Sequence, residues 1–189
     1  MNTVVDLRLR HHDRHATKEI IDDLIDAYAE IYNVPPYAGD PFFSPNTYAD
    51  RLRAALEMDG FETVTASIGD QLVGYVHGAV LPADRSWWVS LGGSRPEAVR
   101  VAAEARKVFW LRELMVRPAY TNRGIGRLLH NAVIAGRAEP WTALTCVIGN
   151  EPAHSAYLRW GYQLIGQIRH APESPVYSAM ILPPPPDTP

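Results

Sequence analysis

The sequence predicts a mixed α/β (α+β) domain, and three observations point to that class. Runs rich in β-forming residues alternate with segments whose apolar residues recur at helical spacing. No Gly- or Ser-rich linker and no internal repeat divides the 189 residues. Hydrophobic residues make up 47% and the formal net charge is −3, which is typical of a globular domain and unlike a disordered, coiled-coil or collagen-like chain. We expect one domain over residues 1–182 and a Pro-rich tail over 183–189.

The first half of the chain is predicted to contain a strand, two helices and a hairpin. Thr17 is a candidate helix N-cap, and Gly69-Asp70 is a tight-turn signal between two β-rich runs. In order, the predicted elements are a strand over residues 4–9, a helix over 18–33, a turn-rich loop over 35–45, a helix from 46 or 47 to about 60, and antiparallel strands over 63–68 and 71–80.

The second half is predicted to contain four more strands and two more helices. It begins with residues 81–107, an unusually long connection that we expect to be an inserted loop with a short helix. The elements after it are a strand over 109–116, a turn over 118–123, a helix over 124–137 with an apolar stripe of Ile125, Leu128, Leu129, Ala132 and Val133, a strand over 142–147, a helix over 153–160, and strands over 162–168 and 176–182.

Charge and cysteine content narrow the class of partner and the compartment. The 18 basic residues are scattered among 21 acidic ones, so the basic patch of a nucleic-acid binder is missing. No run of 18 apolar residues suits a membrane span, and residues 1–15 lack the apolar stretch of a signal peptide. Cys146 is the one cysteine, which fits a reducing compartment. We expect a cytoplasmic protein without nucleic-acid or membrane partners.

Metal binding is not expected. His11 and His15 have the i, i+4 spacing of metal ligands, but the pattern places them in a polar loop without further Cys or Glu ligands. The simpler interpretation is that both histidines are solvated loop residues.

The most informative segment is ELMVRPAYTNRGIGRLLHNAV, residues 113–133. A strand leads into a turn with Gly124 and Gly126, and the N–H groups that begin the next helix would favour an anion such as a pyrophosphate. The alternative is that these glycines only allow tight packing. A dinucleotide-binding fingerprint fits less well, because Leu129 stands at its third glycine, and no lysine follows to make a P-loop.

A second segment, NEPAHSAYLRWGY at residues 150–162, reads as a short helix that begins at Asn150 and ends at Gly161. Together the two segments resemble the Gcn5-related N-acetyltransferase (GNAT) superfamily. Its patterns are [Q/R]-x-x-G-x-[G/A] and N-x-x-A-x-x-x-Y-x-x-x-G-[F/Y]. The second is matched in full, by Asn150, Ala153, Tyr157, Gly161 and Tyr162. In the first, Gly124 and Gly126 match, whereas Thr121 replaces the usual Gln or Arg.

The resemblance implies a largely antiparallel central sheet of six to seven strands flanked by about four helices. It also implies transfer of the acetyl group of acetyl-CoA to an amine in a direct ternary complex, with CoA as the product. Backbone N–H groups of 122–127 would hold the pyrophosphate, and the edge of strand 114–116 would pair with the pantetheine arm. The cofactor-binding residues implied are Leu114, Met115, Val116, Asn122, Arg123, Gly124, Ile125, Gly126, Arg127, Asn150 and Ala153.

This chemistry needs a base and an acid. A protonated amine must lose a proton before it attacks the thioester, and Glu113 is flanked on its face of the strand by apolar Leu111 and Met115, where burial would raise its pKa. The alternative is a salt bridge with Arg112 or Arg117, or a solvated edge position. At the family's tyrosine position, Tyr157 would protonate the departing thiolate, whereas a helix tyrosine considered alone is more often a core residue.

The acceptor is the least determined part of the prediction. Candidate acceptor-binding residues are Tyr32, Tyr37, Asp40, Phe43, Trp87 and Trp88. Asp40 or Glu30 would attract a cation, whereas the aromatic residues suit plain packing equally well. Residues 81–107 are either a lid that carries the tryptophans or a segment that packs on the domain or forms a homodimer contact. We expect a small-molecule amine acceptor; the alternatives are a peptide or protein amine, or a non-catalytic acyl-CoA-binding regulatory module.

Overall fold

The computed structural model describes residues 6–34 and 37–185, where a seven-stranded sheet has the order β1-β2-β3-β4-β5-β7-β6. The pairs β1–β2, β2–β3, β5–β7 and β6–β7 are antiparallel, and β4–β5 is parallel. The strands are β1 (Leu7–His12), β2 (Glu62–Ile68), β3 (Gln71–Val80), β4 (Val108–Val116), β5 (Trp141–Val147), β6 (Gln163–Ile168) and β7 (Tyr177–Leu182). The predicted fold class and the hairpin at Gly69-Asp70 are confirmed.

The described residues contain seven α-helices, three more than the four expected to flank the sheet. They are α1 (Arg14–Glu19), α2 (Ile21–Tyr32), α3 (Pro45–Leu56), α4 (Ser86–Ser90), α5 (Glu97–Glu104), α6 (Ile125–Ile134) and α7 (Glu151–Arg159). The predicted helix over 18–33 is two helices, because the chain leaves helical geometry at Ile20. Asp13 rather than Thr17 is the first N-cap: its carboxylate accepts a hydrogen bond from the Ala16 N–H.

The first strand lies further along the chain than predicted. It covers Leu7–His12 instead of 4–9, so His11 and His12 are strand residues and not part of a polar loop. His11 Nδ1 lies 2.5 Å from Glu62 Oε1, and the buried His12 lies 2.9 Å from Thr65 Oγ1. Residues 4–5 of the predicted strand, 35–36 of the predicted loop and 186–189 of the tail lie outside the described residues.

Backbone contacts divide the chain into two compact units, one formed by residues 1–79 and 112–136 and the other by 80–111 and 137–189. The single-domain expectation over 1–182 therefore stays a prediction. In the first unit, α2 and α3 cover the face of β3 and β4 that carries Tyr75 and Met115. The opposite face of β3 carries Gly74, over which Leu129 of α6 packs. The first unit thus has helices on both sides of its strands.

The α6 helix buries a narrower stripe than predicted. Ile125, Leu129 and Val133 are buried, whereas Leu128 is 45% exposed and Ala132 only half-buried. In place of Leu128, the buried His130 completes the inner face.

The second unit has a core rich in tryptophan. Helices α4 and α5 form from the long segment 81–107, and Trp87 and Trp88 of α4 are both buried, with Trp87 5.5 Å from Trp110 between ring centroids. Arg137 forms a nearly buried ion pair with Glu139 at 2.9 Å and lies 4.0 Å over the Phe109 ring. The second unit is thus held by large aromatic contacts in addition to its strands.

Candidate active site

The turn between β4 and α6 has the geometry of an anion cradle. After Val116 the chain forms a short 3-10 helix over Pro118–Tyr120, and then Asn122 and Gly124 adopt left-handed φ angles of 60° and 79°. No side chain caps the first N–H groups of α6, and a Cβ at Gly124 would meet no described atom within 4 Å. Free N–H groups at a helix start, facing open space, suit a phosphate group.

The exposed surface of this turn is positively charged. Residues 121–124 are exposed, and so is Arg127 on the first turn of α6. Arg123 donates a hydrogen bond to the Ala119 carbonyl and lies 5.3 Å over the Tyr120 ring. The guanidinium groups of Arg123 and Arg127 add their positive charge to that of the N-terminal end of the helix dipole. Of the other nominated residues here, Ile125 is buried and Gly126 is half-buried.

The strand that enters the turn alternates between a core face and the α6 face. Met115 is buried in the α2–α3 core, whereas Leu114 and Val116 are half-buried and point to the opposite side. The Arg117 N–H donates to the Val73 carbonyl, which ties the end of β4 to β3. The parallel ladder of β4 with β5 is short, pairing Val108–Trp110 with residues 141–143.

Glu113 is a half-buried carboxylate on the same face as Met115. Burial raises the pKa of the Glu113 carboxyl, and the guanidinium groups of Arg51 and Arg112 lower it by a smaller amount, so the net shift is upward. No ion pair joins this carboxylate to any residue in the described ranges. Arg117 is ion-paired with Glu30, and Arg112 Nη1 lies 3.3 Å from Met58 Sδ. The salt bridge considered as an alternative is therefore not formed.

Aromatic rings from α2, α3 and the intervening loop stack in the same unit. The Tyr28 ring lies 3.9 Å from Tyr48 and 4.4 Å from Tyr32 between centroids, and Tyr32 stacks on Phe43 at 5.1 Å. The edge of Tyr37 contacts both Tyr32 and Phe43. Of the nominated acceptor residues, the structure thus brings together Tyr32, Tyr37 and Phe43.

The carboxylate nominated to attract a cation has a local structural partner. Asp40 caps the 3-10 helix Pro41–Phe43, and its Oδ1 accepts a hydrogen bond from the Phe42 N–H at 2.9 Å. Its side chain remains exposed.

Sequence reasoning missed a polar network beneath these rings. The Tyr48 hydroxyl is hydrogen-bonded to the Tyr75 hydroxyl at 2.7 Å and lies 3.3 Å from His77 Nε2. Burial lowers the pKa of His77 to about 3, so the imidazole is neutral at neutral pH. Arg51 of α3 donates to the Tyr28 hydroxyl and to the Phe42 carbonyl. The available signal was the i, i+3 spacing of Tyr48 and Arg51 on one helix face.

In the second unit, the nominated residues of α7 lie together at its start and centre. The Asn150 side chain caps the helix by accepting a hydrogen bond from the Ala153 N–H at 3.3 Å. Tyr157 is 9% exposed, and its ring makes edge contacts with Trp160 and Tyr162, each at 5.5 Å. The helix covers Glu151–Arg159 with Asn150 as its cap, as the pattern over 150–162 predicts, and so starts two residues before the 153 of the element assignment.

Trp87 and Trp88 pack inside the second unit. Their exposed fractions are 2% and 0%, and their rings meet edge to face at 5.8 Å. Neither indole N–H has a hydrogen-bond partner among the described residues. Such burial favours the packing interpretation over an aromatic lid, and their role toward an acceptor stays a prediction.

The described residues lack two features. They contain no group of three or more His, Cys, Asp and Glu side chains arranged to hold a metal ion. None of the helices in the described ranges is long and apolar enough to cross a membrane.

Comparison with known proteins confirms the family that the two sequence patterns indicate. The protein PH1933 from Pyrococcus horikoshii OT3 is 20% identical, with a TM-score of 0.65 and coverage of 95% of this chain and 99% of that chain. The PaiA N-acetyltransferase from Thermoplasma acidophilum, solved in complex with coenzyme A, is 14% identical, with a TM-score of 0.59 and coverage of 94% and 99%. Arabidopsis thaliana NAA60, solved with a bisubstrate analogue, is 14% identical, with a TM-score of 0.61 and coverage of 93% and 98%.

At these identities the solved structures show a shared fold. A search of curated protein sequences gave no significant match. The profile described as the Acetyltransferase (GNAT) family matches residues 21–162, and the chain therefore belongs to this family of acetyl-CoA-dependent acetyltransferases.

Proposed function

We propose that the chain is an N-acetyltransferase that moves the acetyl group of acetyl-CoA to a primary amine of a small molecule by direct attack in a ternary complex. The observation that carries the proposal is Glu113, a half-buried carboxylate with a raised pKa and no ion-pair partner in the described ranges. A protonated amine has a pKa near 10.4 in the lysine case, so a base must remove its proton before attack. Glu113 is the base in this proposal.

Acetyl-CoA supplies the acetyl group, and the β4–α6 turn fits its pyrophosphate. The left-handed Asn122 and Gly124, the uncapped start of α6 and the open space at Gly124 support binding by the backbone N–H groups of 122–127. Arg123 and Arg127 add positive charge. Main-chain groups of residues 114–116 would bind the pantetheine arm, and Asn150 and Ala153 would contact the cofactor from α7.

Tyr157 is the general acid in this proposal and donates its phenolic proton to the departing CoA thiolate. On the acceptor side, the cluster of Tyr32, Tyr37 and Phe43 would form an aromatic wall that suits a compact organic amine, because a cationic amine is attracted to aromatic rings. Asp40 would add a negative charge at the exposed edge. A cytoplasmic location and a homodimer remain predictions from the sequence.

The test combines binding and turnover. Acetyl-CoA should raise the melting temperature of the wild-type protein by mass action, and a panel of small primary amines should release CoA thiol in its presence. Glu113→Gln should reduce turnover about 100-fold with little change in acetyl-CoA affinity. The matched control, Glu19→Gln, changes an exposed carboxylate that only faces the exposed His15. If acetyl-CoA binds and no small amine releases CoA thiol, whereas peptide amines do, the acceptor is a peptide or protein amine.

A melting curve unchanged by millimolar acetyl-CoA would contradict the acetyl-CoA assignment, and full activity of Glu113→Gln would contradict the role of Glu113 as the base.

A further inference from the structure

Arg51 brings a permanent positive charge into the aromatic cluster of the first unit. Its guanidinium donates to the Tyr28 hydroxyl at 3.1 Å and to the Phe42 carbonyl at 2.8 Å, and it lies 4.8 Å over the Phe42 ring. The side chain is only half-buried, so its charge is felt at the surface of the cluster. Arg51 also lies 5.9 Å over the Tyr48 ring, and the Tyr48 hydroxyl is hydrogen-bonded to the Tyr75 hydroxyl. The Tyr75 hydroxyl lies 3.4 Å from Met115 Sδ, on the face of β4 that Glu113 shares, and the charge of Arg51 accordingly lowers the pKa of Glu113.

The two carboxylates that the sequence nominates for a cation are both engaged elsewhere. Glu30 is ion-paired with Arg117, and Asp40 accepts the Phe42 N–H as a helix cap. A carboxylate near each further ammonium group would favour a polyamine. Next to Glu113, the charged groups that act on it are instead the guanidinium groups of Arg51 and Arg112. The charges around Glu113 therefore disfavour a second ammonium group beside it.

We propose that the acceptor amine also carries an anionic group, a carboxylate in the simplest case, and that Arg51 binds this group while Glu113 receives the amine. The inference rests on the proposed acetyltransferase function. It makes Arg51 a specificity-determining residue for amino acids and related zwitterions over simple amines and polyamines.

The geometry supports recognition of a carboxylate in two ways. Guanidinium groups match carboxylates in shape and charge, and they keep their charge at every pH relevant to the reaction. The hydrogen bonds to Tyr28 and Phe42 fix the guanidinium before a ligand arrives, so less side-chain entropy is lost on binding. The guanidinium also lies 6.0 Å from the Tyr28 ring centroid and 5.9 Å from that of Tyr48, so the aromatic cluster supports its position.

The test compares pairs of acceptors that differ only in a carboxylate: glycine and methylamine, 4-aminobutanoate and propylamine, and L-phenylalanine and 2-phenylethylamine. For each pair, the ratio of kcat/KM values is measured for the wild type, Arg51→Gln and Arg51→Lys. In the best pair the wild type should prefer the carboxylate-bearing acceptor, and Arg51→Gln should reduce this ratio about 10- to 100-fold. Arg51→Lys should retain part of the preference, and spermidine should be a poor acceptor for the wild type.

Comparing the kcat/KM ratios between variants isolates the effect of the acceptor carboxylate. A change in the pKa of Glu113 in the free enzyme, or in the fraction of folded protein, affects both members of a pair equally, and differences in amine basicity are the same for each variant. Arg53→Gln is the matched control, because Arg53 lies on the same helix and forms only an exposed pair with Asp50 at 3.4 Å. Its ratios should equal those of the wild type.

The possible outcomes separate the two proposals. Thiol release without a preference for the carboxylate, or an equal loss for both members of each pair in Arg51→Gln, would overturn the inference and leave the acetyltransferase function intact. No thiol release from any amine would overturn both. If Arg51→Gln does not fold, the wild-type ratios and those of Arg51→Lys decide: a wild-type preference that Arg51→Lys retains in part supports the inference, and its absence from the wild type refutes it.

Discussion

Gly74 of β3 allows β4 and Leu129 of α6 to approach this strand closely, and its replacement by alanine gives a sharp test of the architecture around the β4–α6 turn. A Cβ at this position would lie 2.7 Å from the Met115 carbonyl oxygen, 3.1 Å from Leu129 Cδ1 and 3.4 Å from Val116 Cα. The closest of these atoms belongs to the backbone of β4, which has no rotamer to change. To move from 2.7 Å to an ordinary contact of 3.4 Å, the strand must retreat by about 0.7 Å.

The expected cost follows from this displacement. Overpacking of a well-packed site destabilises by about 1–3 kcal/mol, which corresponds to a fall in melting temperature of about 3–10 °C for a chain of this size. Because Met115 and Val116 lead directly into the turn, the shift should also misplace its N–H groups. We expect kcat/KM for acetyl-CoA to fall about 10- to 100-fold.

Thermal melting and steady-state kinetics with varied acetyl-CoA measure both effects. Gly93→Ala is the control, since its Cβ would meet no atom within 4 Å and its backbone is not left-handed. If Gly74→Ala has the melting temperature and kinetics of Gly93→Ala, the close approach of the Met115 carbonyl to Gly74 is wrong. A lowered melting temperature with unchanged kcat/KM for acetyl-CoA would refute the link between Gly74 and the turn.

Three further predictions concern the cofactor turn, the acid and the base. Gly124→Glu should abolish the rise in melting temperature that acetyl-CoA causes, because a carboxylate then faces the phosphates and a side chain occupies a left-handed position; an undiminished rise would contradict the cradle. Tyr157→Phe should lower kcat about 100-fold with an unchanged KM for acetyl-CoA, whereas unchanged kcat would assign Tyr157 to packing. Activity should fall as pH drops through the raised pKa of Glu113, and Arg51→Gln should move this limb to higher pH because it removes a charge that lowers that pKa; a limb that stays in place would refute the coupling.

The fold was predictable where local chemistry decides it. The β2–β3 hairpin follows from Gly69, whose φ of 57° suits a tight turn between two β-rich runs. The end of the first strand was misplaced because its apolar alternation stops at Leu9, whereas β1 continues to His12 through the polar Arg10 and His11. Pairing with β2 at the edge of the sheet determines its position, and a tertiary contact of that kind is not visible in the strand's own residues.

The backbone geometry of the candidate site was predictable where one continuous segment forms it. Glu113 and the glycine turn lie within a dozen residues of each other, so strand, turn and helix signals sufficed. The network of Tyr48, Tyr75 and His77 combines a helix and a strand that meet only in the folded core. No periodicity within either element shows that these hydroxyl and imidazole groups will be hydrogen-bonded.

Arg51 shows why the charges around the proposed acceptor site could not be predicted from the sequence alone. In the sequence, the loop before α3 offers Asp40 as the nearest charge to the aromatic residues, which suggests attraction of a cation. The fold assigns Asp40 to a cap and Glu30 to Arg117, and it directs the guanidinium of Arg51 to Phe42 and Tyr28.

The charge of Arg51 opposes the effect of burial on the pKa of Glu113. Burial alone would favour the protonated carboxylic acid, which does not act as a base. The charge of Arg51 offsets part of this effect, so Glu113 keeps a raised pKa without the full penalty of desolvation. An acceptor carboxylate bound to Arg51 would screen that charge and raise the pKa of Glu113 further, so the acid limb of the pH profile would move to higher pH. With acceptors that lack an anionic group, Arg51 stays unscreened and the same limb would lie at lower pH.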